Sequence, residues 1–388
     1  MEGDEPNVGD TDPSGDRDTD ARNDRLVEGL LAGEHRALAR TITLIENRAP
    51  GHRDLVARLH AHAGDAAIVG VTGSPGAGKS TLVDKLARAY RDRGDTVGIV
   101  AVDPSSPYSG GSVLGDRIRM GASTGDMDVF VRSMSARGRL GGLSTATTDA
   151  ITALDAFGKD VVVVETVGAG QSEVDIVRTA DTVAVLVQPG SGDDVQMLKA
   201  GILEIGDVFV VNKADMEGAA RTVAEVEEML HRQRSAGGDG ERVGGAEAGH
   251  HGPRAEAGSG AASSEADPET AAEWDPRIVE TVATTGEGVD ELLDALDAHA
   301  AWLRESGARE AKATQRHGAE IRRLVRTDLT ELAEAELERR GGLDALAERV
   351  RARETDPYAV ADAVVGPIRE CVEAGRDRPD DDTDTDGE

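Results

Sequence analysis

The chain has 388 residues, 30% of them charged, and a formal net charge of −31 at pH 7. That length accommodates a large α/β domain with additional helices, and the acid excess leaves no basic stripe of the kind that binding a nucleic-acid backbone requires. A single cysteine, Cys371, excludes an intramolecular disulfide framework and a cysteine-cluster metal site, and fits a reducing, cytoplasmic compartment.

Residues 1–22 and 376–388 have too little apolar content to offset the entropy of ordering and are expected to be disordered acidic tails. Nothing in residues 1–24 resembles the apolar core of a signal peptide. No run approaches the ~20 apolar residues of a membrane span. Residues 23–64 read as helical: Leu26, Leu30, Leu31, Leu38, Ile42 and Ile45 recur at helical spacing and predict one amphipathic helix over Leu26–Ile45, with a second, short helix over His52–His62.

From 65 to 304 strands alternate with helices. Strands are expected at Ala66–Val71, Thr96–Val102, Asp160–Val164, Thr182–Val187, Asp207–Val211 and Arg277–Val282. Helices are expected at Thr81–Tyr90, Gly142–Phe157, Asp193–Ile205, Glu217–Arg234 and Glu287–Leu303. This order predicts an α/β fold, a mainly parallel sheet flanked by helices. Residues 235–270, rich in Gly, Ala, Ser and Glu, read as a flexible insertion, in which His250 and His251 are expected to be solvated. Residues 305–375 read as a C-terminal helical segment of three helices, Glu310–Arg340, Gly341–Arg353 and Pro357–Ala374, with apolar faces in need of a partner surface. Lys79, Lys85, Lys159, Lys199, Lys213 and Lys312 supply every lysine, so almost all cations are arginine. Scarce lysine with excess acid suggests a halophilic protein, kept soluble where salt screens self-repulsion.

The chemistry begins at Gly73-Ser74-Pro75-Gly76-Ala77-Gly78-Lys79-Ser80, which fits G-x-x-x-x-G-K-[ST] between a predicted strand and a predicted helix opening near Thr81. In that context glycines let backbone N–H groups close round phosphates. Lys79 can reach the β- and γ-phosphates, and the Ser80 hydroxyl can ligate Mg²⁺. At the end of a later strand stands Asn212-Lys213-Ala214-Asp215, an N-K-x-D element. Its Asp215 carboxylate can accept from the N1–H and exocyclic amine of guanine, donors that adenine lacks, so the nucleotide is expected to be GTP. Thr284 and Thr285, at a strand-to-helix turn, are placed near the guanine O6 on weaker grounds, since an ordinary turn explains them nearly as well. Asp103, Asp116 and Glu165 lie at or beyond strand ends facing the same crevice, and could manage Mg²⁺ and water. Glu165-Thr166-Val167-Gly168 is similar to the D-x-x-G element with Glu for Asp, which would bring the Gly168 N–H to the γ-phosphate. Gln171 stands three residues beyond Gly168 and receives no catalytic role.

Four further stretches carry a more specific resemblance: Ala101–Pro107, Gly110–Arg117, Ser135–Gly142 and Glu165–Glu173. With the phosphate loop and N-K-x-D, they resemble the MeaB/ArgK-like family of metallochaperone-type P-loop GTPases, from about Leu26 through Leu303. The resemblance implies a GTP-hydrolysing chaperone that gates adenosylcobalamin loading of methylmalonyl-CoA mutase or a related acyl-CoA mutase, protects it from inactivation and helps eject damaged cofactor. It implies a homodimer built largely through the C-terminal helices. It also matches Lys79 and Ser80 to the phosphate and metal positions, Asp103, Asp116 and Glu165 to the acidic group, and Asn212, Lys213 and Asp215 to the base site. The segment from Gln188 through Gly190, Gly192, Asp193 and Lys199 matches the family's mobile element that couples hydrolysis to the mutase. The cobalamin is expected on the partner, because the D-x-H-x-x-G pattern is absent: Asp297-Ala298-His299 leads to Trp302 where Gly is required. Three alternatives remain open: a nickel-delivery GTPase, disfavoured by the lack of a Cys/His cluster; a kinase linked to amino-acid transport, disfavoured by N-K-x-D; and a non-hydrolysing nucleotide-dependent scaffold, disfavoured by the intact Lys79, Ser80 and acidic trio.

Overall fold

The structure, a computed structural model, describes residues 13–103, 126–135, 145–166, 179–190, 202–237 and 273–376. The chain divides into two units, Met1–Ala313 and Thr314–Glu388. The first contains a seven-stranded, all-parallel sheet: β1 (Ala67–Gly73), β2 (Val97–Asp103), β3 (Val129–Ser135), β4 (Val161–Thr166), β5 (Thr182–Val187), β6 (Val208–Asn212) and β7 (Arg277–Thr281). Their order across the sheet is β3-β2-β4-β1-β5-β6-β7, every neighbouring pair parallel.

A strand covered on both faces must be apolar at every position, and Val161-Val162-Val163-Val164 meets that demand with four buried valines. Alternation splits them between two cores. Val162 and Val164 join Leu38, Ile42, Ile45, Leu59 and Leu154 on one face, and Val161 and Val163 join Leu82, Leu86, Leu292 and Leu296 on the other. The first face is covered by α1 (Pro13–Leu31), α2 (His35–Glu46), α3 (His52–His60) and α5 (Thr145–Ala156); the second by α4 (Lys79–Asp92) and α7 (Val289–Glu305), while α6 (Ala219–Gly237) adds Val226 and Leu230 to the first core.

Six predicted strands and the helices that fall on described residues are present within a few residues of their expected limits. Three expectations change. The single helix over Leu26–Ile45 is two helices, because Gly33 takes a left-handed φ of +81° and turns the chain between them. Residues 13–22, expected to be disordered, are the first turns of α1, where Arg22 donates to Pro50 O at 2.6 Å and the buried Asn23 amide bonds Gly51 O and Asp54 at 2.9 Å. Strand β3 was not foreseen. It lies at the sheet edge, and its centre carries Arg132, whose guanidinium meets the Glu46 carboxylate of α2. The N-terminal part of the predicted helix Asp193–Ile205, most of the 235–270 insertion and both tails' outer residues lie outside the described residues; Ile202–Glu204 forms a short 3₁₀ turn.

The second unit consists of the remainder of α8 (Ala308–Arg339), with α9 (Gly342–Arg351) and α10 (Pro357–Arg376). Ile321, Val325, Leu329 and Leu332 follow one another along α8 at helical spacing and are all exposed, as are Leu343, Tyr358, Val365 and Val372.

Candidate nucleotide site

The strand order places β1 between β4 and β5, with its two crossover directions diverging there. In an open parallel sheet the crevice at such a switch point, beyond the strand C-termini, is where a ligand binds. Crossing that edge, the chain presents Asp103 at the end of β2, Glu165 near the end of β4, the phosphate loop after β1, Gln188 after β5, Asn212 and Lys213 at the end of β6, and Thr281 at the end of β7 with Val282 and Ala283 beyond it. Residues separated by more than two hundred positions thus form one row.

The phosphate loop leaves β1 at Gly73 and enters α4 at Lys79, with Gly78 as the N-cap. Two of its glycines are demanded by close approach as well as by φ. At Gly73 (φ +143°) a Cβ would lie 2.2 Å from Leu186 O, and at Gly78 (φ +98°) it would lie 2.3 Å from Asn212 Nδ2. Ser74 and Ala77 are buried, Thr81 is exposed on the first turn of α4, and Pro75, Gly76, Gly78, Lys79, Ser80 and Thr81 line a cavity of about 560 Å³. Ala101, Val102, Glu165 and Thr166 form its other wall.

Inside this cavity the polar groups are folded onto the loop itself. Lys79, buried, donates through Nζ to Gly73 O at 2.7 Å and to Ser74 O at 2.8 Å. The Ser80 hydroxyl donates to Glu165 Oε1 at 2.5 Å, and Glu165 is itself only 7% exposed. A hydroxyl and a carboxylate meeting at a helix N-terminus are hard oxygen donors that suit Mg²⁺, so the residues fit that ion. Below them Thr166 Oγ1 donates to Thr72 Oγ1 at 3.1 Å, tying the ends of β4 and β1 together.

The base end is assembled differently. Asn212 is buried: its Nδ2 donates to Ala77 O at 2.7 Å, and its Oδ1 accepts from Thr281 Oγ1 at 3.0 Å and Ala283 N at 3.1 Å. Lys213 adopts a left-handed φ of +60°, which carries its ammonium back over the phosphate loop to Gly76 O at 2.8 Å and to Gln188 Oε1 at 2.6 Å. Ala214 N donates to Thr281 O at 3.0 Å, and the next residue, Asp215, is exposed at the crevice rim. Among the described residues, no side chain pairs with its carboxylate. Thr284 is exposed; Thr285 donates its hydroxyl to Val282 O at 3.1 Å and so spends it on its own turn.

Of the residues singled out from sequence, Gly73 through Thr81, Glu165, Gln188, Gly190, Asn212, Lys213, Asp215, Thr284 and Thr285 are placed on the strand-end side of the sheet. Asp103 is placed there by its backbone. Asp116, Gly168, Gly192, Asp193 and Lys199 lie outside the described residues. The bracing role of Asn212 between the phosphate loop and β7 was not read from the sequence, since it depends on β6 and β7 being neighbours.

A phosphate loop opening a helix from the central strand, with Asn-Lys-x-Asp two strands away on a parallel sheet, defines a P-loop GTPase. A family profile described as "Methylmalonyl Co-A mutase-associated GTPase MeaB" matches residues 38–338. The chain belongs to that family. A Pyrococcus abyssi relative provisionally named a GTPase is 44% identical over 345 residues, covering 89% of this chain and 96% of its own. The mouse "Methylmalonic aciduria type A homolog, mitochondrial" is 30% identical over 325 residues, covering 79% of this chain and 70% of its own. Among solved structures, one titled "LAO/AO transport system kinase" superposes with a TM-score of 0.58 at 24% identity, over 90% of this chain and 98% of its own, and supports the fold. Among the described residues no group of three or more His, Cys, Asp or Glu could hold a metal ion by themselves, and no helix is long and apolar enough to cross a membrane.

Proposed function

We propose that this GTPase is a chaperone that gates adenosylcobalamin loading and protection of methylmalonyl-CoA mutase or a related cobalamin-dependent acyl-CoA mutase. The observation that carries the reading is the mutase-associated family match over residues 38–338, supported by the mouse relative whose name refers to methylmalonic aciduria. The cobalamin belongs to the partner, since this chain has no D-x-H-x-x-G pattern.

In this reading Lys79 exchanges the Gly73 and Ser74 carbonyls for the β- and γ-phosphates, where its charge offsets the negative charge that develops on the transferring group. Ser80 and Glu165 would hold Mg²⁺, with Asp103 and Asp116 contributing to the same ion or to the attacking water. When bound, the ion would neutralise negative charge on the phosphates. Gly168 donates to the γ-phosphate. Asp215 receives the guanine edge, and the Thr284–Thr285 turn approaches O6. The segment Gln188, Gly190, Gly192, Asp193 through Lys199 carries the nucleotide state to the mutase. The working form is a cytoplasmic homodimer, for which the exposed row Ile321, Val325, Leu329 and Leu332 is an apolar face suited to a second copy, and the acidic surface suits high salt.

The test is steady-state GTP hydrolysis in high salt with and without the mutase, together with mutase affinity in a non-hydrolysable GTP analogue against GDP. The reading predicts slow hydrolysis alone, stimulation by the mutase and a preference for one nucleotide state. Fast hydrolysis alone with equal affinity in both states contradicts it.

A further inference from the structure

Three motifs far apart in sequence meet at one ammonium. Lys213 follows β6, Gly76 is in the phosphate loop after β1, and Gln188 is the first residue after β5. The Lys213 Nζ donates to Gly76 O at 2.8 Å and to Gln188 Oε1 at 2.6 Å. β5 lies between β1 and β6 in the sheet, so Gln188 leaves the strand directly between the phosphate loop and the base-recognition element. Lys213 is held over this junction by a backbone with φ +60°, a conformation that a lysine keeps only where its surroundings require it. On either side the backbone is fixed: Asn212 is bonded to Ala77 O, Thr281 and Ala283, and Ala214 N to Thr281 O.

We propose that Gln188 is a positioning residue that reads occupancy of the base site through Lys213, so that guanine binding sets the path of the chain at Gln188-Pro189-Gly190 as it leaves β5. The proposal rests on the crevice being a guanine-nucleotide site and deepens that reading by naming the route through which the base end reaches the segment beginning at Gln188. The lysine stem borders the place where the base must lie if Asp215 is to meet it, two residues on. A base seated there restricts the stem, and the ammonium has two partners to keep: a phosphate-loop carbonyl that the β1–α4 turn holds fixed, and an amide at the start of a new segment. Of the two, the Gln188 end is the one followed by Pro189 and by Gly190 at φ +78°, a turn that redirects the chain. By reciprocity, anything that fixes Gln188 must alter nucleotide affinity by the same factor.

The experiment is a double-mutant cycle on GDP affinity with Gln188→Leu, Lys213→Met and the double variant. Amide exchange at Gly190 is measured in parallel, with and without GDP. The expected result is that each single variant weakens GDP binding, Gln188→Leu by about tenfold, and that the double variant is weaker than Lys213→Met by less than about twofold, a coupling of roughly 5–10-fold. GDP is expected to slow exchange at Gly190 in the wild type and to leave it unchanged in Gln188→Leu. That second readout separates a relay from simple loss of stability, and it decides the matter alone should Lys213→Met not fold. Independent, multiplicative effects of the two substitutions, or GDP-dependent protection at Gly190 that survives Gln188→Leu, would overturn the relay while leaving the nucleotide site intact. A wild-type protein with no affinity for GDP would overturn the reading of the crevice, and the relay with it.

Discussion

The two ends of the crevice are built on opposite plans. At the phosphate end the functional groups are buried or half-buried and engaged with the protein: Lys79 with two loop carbonyls, Ser80 with Glu165. At the base end the buried groups, Asn212 foremost, are scaffold, and the group that would meet the ligand, Asp215, stands exposed. The difference follows from what each end must recognise. A triphosphate can compete for an ammonium held by neutral carbonyls, because its negative charge adds a Coulombic attraction that a carbonyl dipole cannot match. A neutral base edge has no such advantage, so a carboxylate that is to read it can stay solvated until a base supplying both donors would desolvate it.

The largest effect is expected from breaking the phosphate end. Lys79→Ala should lower hydrolysis by about 10³-fold or more and weaken triphosphate binding, since nothing else in the cavity's described lining carries positive charge. Turnover and GTP titration measure it; a variant within tenfold of wild type on both would show that the ammonium stays with its carbonyls.

Breaking the brace between the two ends should cost stability. Asn212→Leu leaves Ala77 O, the Thr281 hydroxyl and Ala283 N without their partner in a buried setting, and should destabilise the fold by about 2–4 kcal/mol. Denaturant unfolding checks this, and a loss below about 0.5 kcal/mol would show that water replaces the amide.

A third region, at the opposite edge of the sheet, sharpens the comparison as a control. His299 is buried against Trp274 and Trp302, its Nδ1 is 2.8 Å from Thr182 Oγ1 and its Nε2 is 3.3 Å from Asp207 Oδ1. Burial, with the Lys312 charge adding to it, lowers the imidazole pKa to about 3 from 6.5. The unfolded chain therefore takes up a proton at His299 that the folded chain refuses. Its contribution is fully present above pH 6.5 and is lost as pH falls toward 3. The neighbouring Asp207, pushed up chiefly by burial although Lys312 and the Val183 N–H oppose this, has the reverse sign: its contribution is present at low pH and is lost as pH rises through its raised pKa. His299→Gln should make the decline of stability between pH 6.5 and 4.5 shallower by up to about 1.4 kcal/mol per pH unit. GDP affinity at pH 7 should be unchanged. An unaltered slope in acid unfolding would show that His299 is protonated in the fold.

These expectations were unequally visible in the sequence. The phosphate loop, its strand and its helix were legible because glycine spacing, a buried apolar run and helical periodicity agree over Ala66–Tyr90. The N-K-x-D element was legible for the same local reason. Strand β3 was not, since Arg132 interrupts an edge strand whose register only its pairing with β2 reveals. Neither was the start of α1, where Asn23 and Arg22 are held by contacts to residues 50–54 that no local window contains. The junction of Lys213, Gly76 and Gln188 depends wholly on strand order, which composition and periodicity do not determine.

The claim that the exposed end of the crevice reads guanine is met most directly by titrating Asp215→Asn with GTP and with xanthosine triphosphate. The substituted amide can donate to the C2 carbonyl of xanthine, which the carboxylate could not do. The account predicts that GTP affinity falls by about 10²-fold or more while affinity for the xanthosine nucleotide rises above it. An Asp215→Asn protein that folds normally and keeps the wild-type preference for GTP would contradict it.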